Sequence, residues 1–238
     1  GLQLLVKKPV KRFAVISIVT SLSLLADVLR GAPLIKTSVL GYDPVSGARY
    51  YGLGNEYMGI LVGTAVLGAA AAVTLRPRFR RPLIYFFSLL FLFIMLLMIS
   101  PGGGANFGGT LTAAAAFFVA LAFLVRFKVS WKSSIILCLG AAVAVLGAVT
   151  MNLLVPPDAH SHLGRTLVLL QSQGLQALQD IVLRKIAMNL KLFRYSQWSR
   201  VFLAFLAVLA ILFYRPRGVL HDLQKKYPDL AAGFFGII

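Results

Sequence analysis

Long apolar runs recur along this chain, and clusters of Lys and Arg separate them. A membrane-spanning helix needs roughly 20 apolar residues; six runs approach or reach that length, near 13–29, 56–75, 83–99, 110–125, 133–155 and 201–214. A further run begins near 230 and continues to 238. With 59% hydrophobic and 13% charged residues, a soluble domain could not bury this apolar surface around one core. We therefore predict an all-α, polytopic transmembrane helical bundle, in which residues 1–238 form one membrane domain surrounded by the lipid bilayer.

The basic clusters follow every second run, which predicts the orientation of the helices. Loops counted in this way place 15 Lys and Arg with 2 acids on one side, and 9 with 5 acids on the other. These groups carry a formal +13 and +4, which together give the net charge of +17. Since short cytoplasmic loops retain Lys and Arg, we expect the more basic side and the N-terminus to be cytoplasmic. No zinc-finger spacing or aromatic RNA-binding signature accompanies the charge, so we expect no nucleic-acid partner.

One stretch, at about 166–197, is too polar to span a membrane but carries an apolar stripe at helical spacing. We predict an outer-face amphipathic helix that lies along the interface or caps the bundle. Asn189 falls within the apolar stripe and Lys185 at its border. Because a buried amide needs a partner, Asn189 makes either a structural hydrogen bond or a substrate contact.

The connection that leads into the second run is the richest in polar groups. It reads Gly-Ala-Arg-Tyr-Tyr-Gly-Leu-Gly-Asn-Glu-Tyr over residues 47–57. Arg49 offers a planar donor fork for a carboxylate or phosphate, while Asn55 and Glu56 enter the apolar layer together. An acid at bilayer depth is unfavourable unless paired or hydrated. Glu56 is therefore either a site residue that faces the bundle interior or an interfacial acid favoured by the helix dipole.

A second glycine-rich connection spans residues 100–109 and contains Asn106. It is interpreted either as a flexible hairpin or as a substrate-lining, re-entrant loop in which Asn106 is a donor. In the first run, Asp27 has three open roles: it caps a helix, pairs with Arg30, or joins the polar cluster. Gly59 and Gly63 have the small-xxx-small spacing that permits close helix packing.

A third polar connection reads Asp158-Ala159-His160-Ser161-His162-Leu163-Gly164-Arg165. Its oxygen and imidazole groups are compatible with a solvated loop, with a metal site, or with proton transfer by histidine. We favour the solvated loop and assign no metal ligands. The sequence identifies no cofactor.

The motif at residues 47–57 resembles a group of uncharacterised bacterial multi-spanning membrane proteins. Stretches at 104–109, 161–165 and 184–192 are similar to the same group. No established activity comes with this resemblance. It implies a bacterial cytoplasmic membrane location and a longer protein, with a further hydrophobic segment and additional domains outside residues 1–238.

The three polar connections emerge on the predicted outer side, which favours one outward-facing polar pocket there. We expect it to bind, process or transport an anionic or lipid-linked substrate, because its cations lie beside glycine-rich backbone. The candidate catalytic residues are Glu56 and His162, and the candidate substrate-binding residues are Arg49, Asn55, Asn106, Arg165, Lys185 and Asn189. The alternative is a noncatalytic membrane anchor or assembly module that uses the face with Gly59 and Gly63.

Overall fold

The computed structural model of the chain describes residues 9–39, 52–100, 102–126, 146–147, 150, 168–170, 172, 174–195, 197–214 and 219–237. These residues are predominantly helical and include no strand, which confirms the predicted all-α bundle. In chain order the helices are α1 (Pro9–Leu29), α2 (Pro33–Thr37), α3 (Asn55–Leu75), α4 (Arg80–Ile99), α5 (Phe107–Leu124), α6 (Leu175–Tyr195), α7 (Gln197–Tyr214), α8 (Val219–Lys226) and α9 (Pro228–Ile237). A 3₁₀ turn at Pro77–Phe79 precedes α4.

Four of the described helical stretches are long and apolar enough to cross a membrane. They are α1, α3, the 3₁₀ turn together with α4, and α5, and they correspond to the first four apolar runs of the sequence. Most of the run near 133–155 lies outside the described residues. Within α7, a shorter apolar helix extends over Ser199–Leu209.

Successive spans alternate in direction, so the bundle has two ends of different character. Val10, near the start of α1, packs with Ala71, near the end of α3, and with Leu230, near the start of α9. The Arg80 side chain at the start of α4 donates to the carbonyl of Leu124, the last residue of α5. We call this the basic end. The opposite end, where α3 and α5 begin, is called the junction end.

Helices α1 and α3 pack closely because small residues lie between them. A Cβ added at Gly68 of α3 would lie 3.0 Å from Cγ1 of Ile18 in α1. Ser17, beside this contact, is 4% exposed. Small-to-small contact of this kind brings two backbones together where van der Waals packing, rather than water exclusion, drives helix association.

Aromatic side chains join α4 to α5, and glycines seat α9 against the bundle. The rings of Phe91 and Phe117 stack with centroids 4.1 Å apart. In α9, a Cβ added at Gly233 would lie 2.6 Å from the Cβ of Ala70 in α3, and one at Gly236 would lie 2.8 Å from the Cβ of Ala120 in α5. The described part of the run predicted near 230–238 is therefore a helix that packs between two spans.

Gly59 and Gly63 do not mediate a close helix contact among the described residues. Apart from the adjacent backbone of α3 itself, no described atom lies within 4 Å of a Cβ added at either position. The close approaches between helices occur instead at Gly68, Gly233 and Gly236, where an added Cβ would overlap a neighbouring helix.

The amphipathic segment forms α6, which begins at Leu175. Gly174 precedes it with φ 69°, a left-handed conformation that interrupts a helix at little cost only for glycine. The side chains that the structure describes in α6 are exposed, except for the half-buried Ile181. Lys185 and Asn189 are among the exposed ones.

Candidate functional site

The glycine-rich connection after α4 is a packed turn at the junction end. Gly104 donates its N–H to the carbonyl of Leu97 at 2.9 Å, and Asn106 donates its N–H to the carbonyl of Met98 at 2.8 Å. The N–H of Ala105 bonds to the carbonyl of Ser100 at 3.0 Å. These bonds satisfy carbonyl groups that the last turn of a helix leaves without partners. In its described part, this connection is therefore neither a free hairpin nor an open loop, since Gly104, Ala105 and Asn106 are buried.

A second backbone segment, just before α3, is bonded directly onto this turn. The N–H of Leu53 donates to the carbonyl of Gly104 at 2.7 Å, and Nδ2 of Asn106 donates to the carbonyl of Leu53 at 2.9 Å. Leu53 is fully buried. We call residues 52–54 and 102–106 the glycine junction, because they join the starts of α3 and α5 to the end of α4.

Glycine at position 52 is required by both conformation and space. Its φ is +70°, and an added Cβ would lie 2.2 Å from the carbonyl oxygen of Gly104. A left-handed conformation costs other residues roughly 1–2 kcal/mol, and the steric overlap adds to that cost. The close backbone approach at the glycine junction thus depends on a hydrogen atom in place of a side chain.

Asn106 is the central side chain of the glycine junction. It is 5% exposed, and its Oδ1 accepts the N–H of Gly109 at 2.8 Å, which caps α5. Its Nδ2 donates to the carbonyl of Leu53 and, at 3.4 Å, to Oδ1 of Asn55. Both amide hydrogens are therefore engaged inside the protein. Asn106, which the sequence predicted to bind substrate, instead bonds to the backbone of Leu53 and Gly109 and to the side chain of Asn55.

Asn55 and Glu56 open α3 on the surface of the junction end. Both side chains are exposed. Of the two alternatives for Glu56, the structure agrees with the interfacial acid: in the described part of the chain its exposed carboxylate makes no hydrogen bond or ion pair. Oδ1 of Asn55 accepts a hydrogen bond from the glycine junction. The two amide hydrogens of Asn55 are not used in that bond. Of the residues predicted to share one pocket, Asn55 and Asn106 do contact each other. Asn106 is buried, whereas Asn55 is exposed.

A second hydrogen-bonded chain flanks the start of α3, and the sequence did not single out its residues as site residues. The hydroxyl of Tyr57 donates to Oγ of Ser38 at 2.7 Å, and the Ser38 hydroxyl donates to the carbonyl of Ile35 at 2.8 Å. Tyr57 lies within the motif at 47–57, next to Asn55 and Glu56, and this position could have identified it as a site residue. Ser38 belongs to no motif, so nothing in the sequence indicated that it would bond to Tyr57.

Asp27 caps helix α2, which is the first of the three roles that the sequence left open for it. It is 5% exposed, and its two carboxylate oxygens accept the N–H groups of Leu34 and Ile35, each at 3.0 Å. Gly31, with φ +85°, ends α1, and the N–H of Ala32 returns to the carbonyl of Asp27 at 2.8 Å. This Schellman-type ending turns the chain so that α2 meets the carboxylate.

The remaining candidates are not brought to this surface by the described structure. Arg49, His162 and Arg165 lie outside the described residues. Lys185 and Asn189 on α6 make no hydrogen bond with Asn55, Glu56 or Asn106. The described residues hold no group of three His, Cys, Asp or Glu side chains suited to a metal ion, while Asp158, His160 and His162 lie outside the described ranges.

Comparison with known proteins gives no match: no family model fits the chain, and no curated protein or solved structure is similar to it.

Proposed function

We propose that this is an integral membrane protein of the bacterial cytoplasmic membrane, with its N-terminus in the cytoplasm and the junction end outside. Among the described residues of α1–α5, α8 and α9 and their connections, the basic end carries nine Lys and Arg against two acids. The junction end carries two of each, Arg30 and Lys36 against Asp27 and Glu56. The retention of Lys and Arg on the cytoplasmic side supports this orientation.

We propose further that the junction end binds the polar group of an anionic or lipid-linked substrate. The observation that carries this proposal is the exposed pair Asn55 and Glu56, held at the start of a spanning helix by the glycine junction, whose residues 53 and 104–106 are buried. A site on rigid elements keeps its groups in place without the cost of ordering a loop on binding. Glu56 satisfies no buried group in the described part of the chain, and Asn55 does so only through its Oδ1, which accepts from Asn106.

The chemistry of the pair defines what the ligand must supply. Because Oδ1 of Asn55 already accepts from Asn106, the Asn55 amide offers donors to an oxygen-rich group such as a phosphate. The ionised Glu56 only accepts, so its partner must donate, as a hydroxyl or ammonium group does. A headgroup with a phosphate and neighbouring hydroxyls meets both requirements. Arg49 and Arg165, which belong to two of the polar connections identified in the sequence, would supply the positive charge.

Glu56 and His162 are the groups we assign to proton transfer if the bound substrate is processed. A carboxylate at the membrane surface can take up a proton from a ligand hydroxyl, and an imidazole can return one. The same pair would serve a transport path as a relay, so binding is the step common to both functions.

The alternative function is a noncatalytic membrane anchor or assembly module. The observation in its favour is the face of α3 with Gly59 and Gly63, which no described residue covers within 4 Å. Small residues on a spanning helix permit close approach of another helix. Under this alternative, Asn55 and Glu56 would be ordinary solvated surface groups.

Binding of a polyprenyl phosphate sugar, whose sugar hydroxyls can donate to Glu56, to the purified protein in nanodiscs separates the two functions. We expect the wild type to bind this probe and Glu56→Gln and Asn55→Ala to bind it at least tenfold more weakly. Asp180→Asn, which removes an exposed acid on α6, should leave binding unchanged. Equal binding by wild type and both variants, or no binding by the wild type, would favour the anchor.

A further inference from the structure

The basic end of the bundle concentrates exposed cations around one partly buried ion pair. Nη1 of Arg80 lies 2.7 Å from Oδ2 of Asp229, and their side chains are 23% and 15% exposed. Nη2 of the same guanidinium donates to the carbonyl of Leu124. One arginine thus fastens the start of α4 to the end of α5 and to the first turn of α9.

Two further arginines are close in sequence to the residues of this contact. Arg81 follows Arg80 directly, and Arg126 follows Leu124 by two residues, in a turn closed by its own N–H to the carbonyl of Phe123 at 3.0 Å. Both side chains are exposed, and neither makes a hydrogen bond or ion pair with a described residue. Asp229 is already engaged by Arg80, and no other described carboxylate forms an ion pair with either arginine.

The rest of the surface at the basic end is also positively charged. Seven of the nine described cations at this end are exposed, namely Lys11, Arg76, Arg78, Arg81, Arg126, Lys225 and Lys226. Asp222 is the exposed acid at this end. Such a surface lies where the apolar spans end, so it meets the level of the lipid headgroups if the spans are inserted in a membrane.

We propose that the basic end binds the phosphate of anionic phospholipids, with Arg81 and Arg126 as its principal contacts. This inference rests on membrane insertion but not on the site around Asn55 and Glu56. Planar guanidinium groups donate in pairs to phosphate oxygens, and clusters of Lys and Arg beside a spanning helix attract anionic headgroups. A lipid surface is favoured over a soluble anion because the cations border the apolar ends of several helices.

The test is native mass spectrometry of the full chain in uncharged detergent at low ionic strength, with added phosphatidylglycerol or phosphatidylcholine. We expect the wild type to retain phosphatidylglycerol preferentially. The double variant Arg81→Gln, Arg126→Gln should bind it about 30-fold more weakly. The double variant Arg81→Lys, Arg126→Lys keeps the charge and should retain most of the binding. The matched control, Arg30→Gln with Lys36→Gln at the junction end, should bind like the wild type.

Several outcomes would overturn the proposal. They are equal retention of the two lipids, equal binding by the wild type and the Gln variant at the basic end, and an equal loss in the control. Displacement of the lipid by equimolar inorganic phosphate would identify a free-anion site, and preferential binding of a DNA oligonucleotide would identify a nucleic-acid surface. Either would refute the lipid assignment. In a Glu56→Gln background, the double Gln variant at the basic end should lose phosphatidylglycerol binding by the same factor, so a failure here is distinguishable from a failure at the junction end.

Discussion

Replacement of Asn106 by alanine tests whether the glycine junction holds the end of the bundle together. The substitution removes the cap on α5, a bond of 2.8 Å to the Gly109 N–H, and the bond of 2.9 Å to the Leu53 carbonyl. Loss of an N-cap costs about 1 kcal/mol, and loss of a typical internal hydrogen bond costs about another 1 kcal/mol. We therefore expect the free energy of unfolding to fall by about 2 kcal/mol.

The assay is thermal unfolding in a mild detergent, where a loss of this size should lower the midpoint by about 4–8 °C for a chain of this length. Asn189→Ala is the matched control, because Asn189 is exposed and makes no hydrogen bond among the described residues. Asn106→Asp separates the two contributions: aspartate caps a helix as well as asparagine does but cannot donate to the Leu53 carbonyl. If Asn106→Asp unfolds like the wild type, the link between the two backbone segments contributes nothing and our account of the junction is refuted.

Three further predictions concern the close approach at Gly52, the ion pair at the basic end, and the orientation in the membrane. Gly52→Ala should destabilise the protein more than Gly31→Ala, because both have positive φ but only the Cβ at position 52 meets a backbone oxygen, at 2.2 Å; equal midpoints would contradict the close approach. Arg80→Gln and Asp229→Asn should each cost about 1–3 kcal/mol, less than additively in the double variant, whereas Asp222→Asn should have little effect; additivity would show that the ion pair has no coupling energy. With Cys138 replaced by alanine, a cysteine at Thr37 should react in intact cells with an impermeant maleimide and one at Phe79 should not, and the reverse pattern would invert our orientation.

Hydropathy was sufficient to locate the first four spans because the requirement is local. A helix that crosses a bilayer must satisfy its own backbone and present apolar side chains over its whole length, and both conditions can be tested within one run of sequence. The four candidate spans observed begin and end within a few residues of the first four apolar runs. Charge clusters beside the runs then indicate which ends lie together.

The glycine junction could not be predicted in the same way because it depends on contacts that are distant in sequence. The Leu53 N–H meets the carbonyl of Gly104, about fifty positions further along, and the glycine junction requires positive φ at Ala105 as well as at Gly52. Composition indicates that both connections can turn tightly, but not that they bond to each other. The same limit applies to helix packing: spacing favoured Gly59 and Gly63, whereas the helices meet at Gly68, Gly233 and Gly236.

Asp27 and Glu56 show why an acid near the end of an apolar run does not by itself mark a buried site. An ionised carboxylate is stable inside a protein only where donors replace its water. For Asp27 the turn at Gly31 brings two backbone N–H groups to 3.0 Å, so the side chain is buried and fully used. No described donor reaches Glu56, and its side chain stays on the surface, where water hydrates it. Of the two acids, Glu56 is therefore the one that an external group can reach, and that group must bring hydrogen-bond donors to replace the water that it displaces.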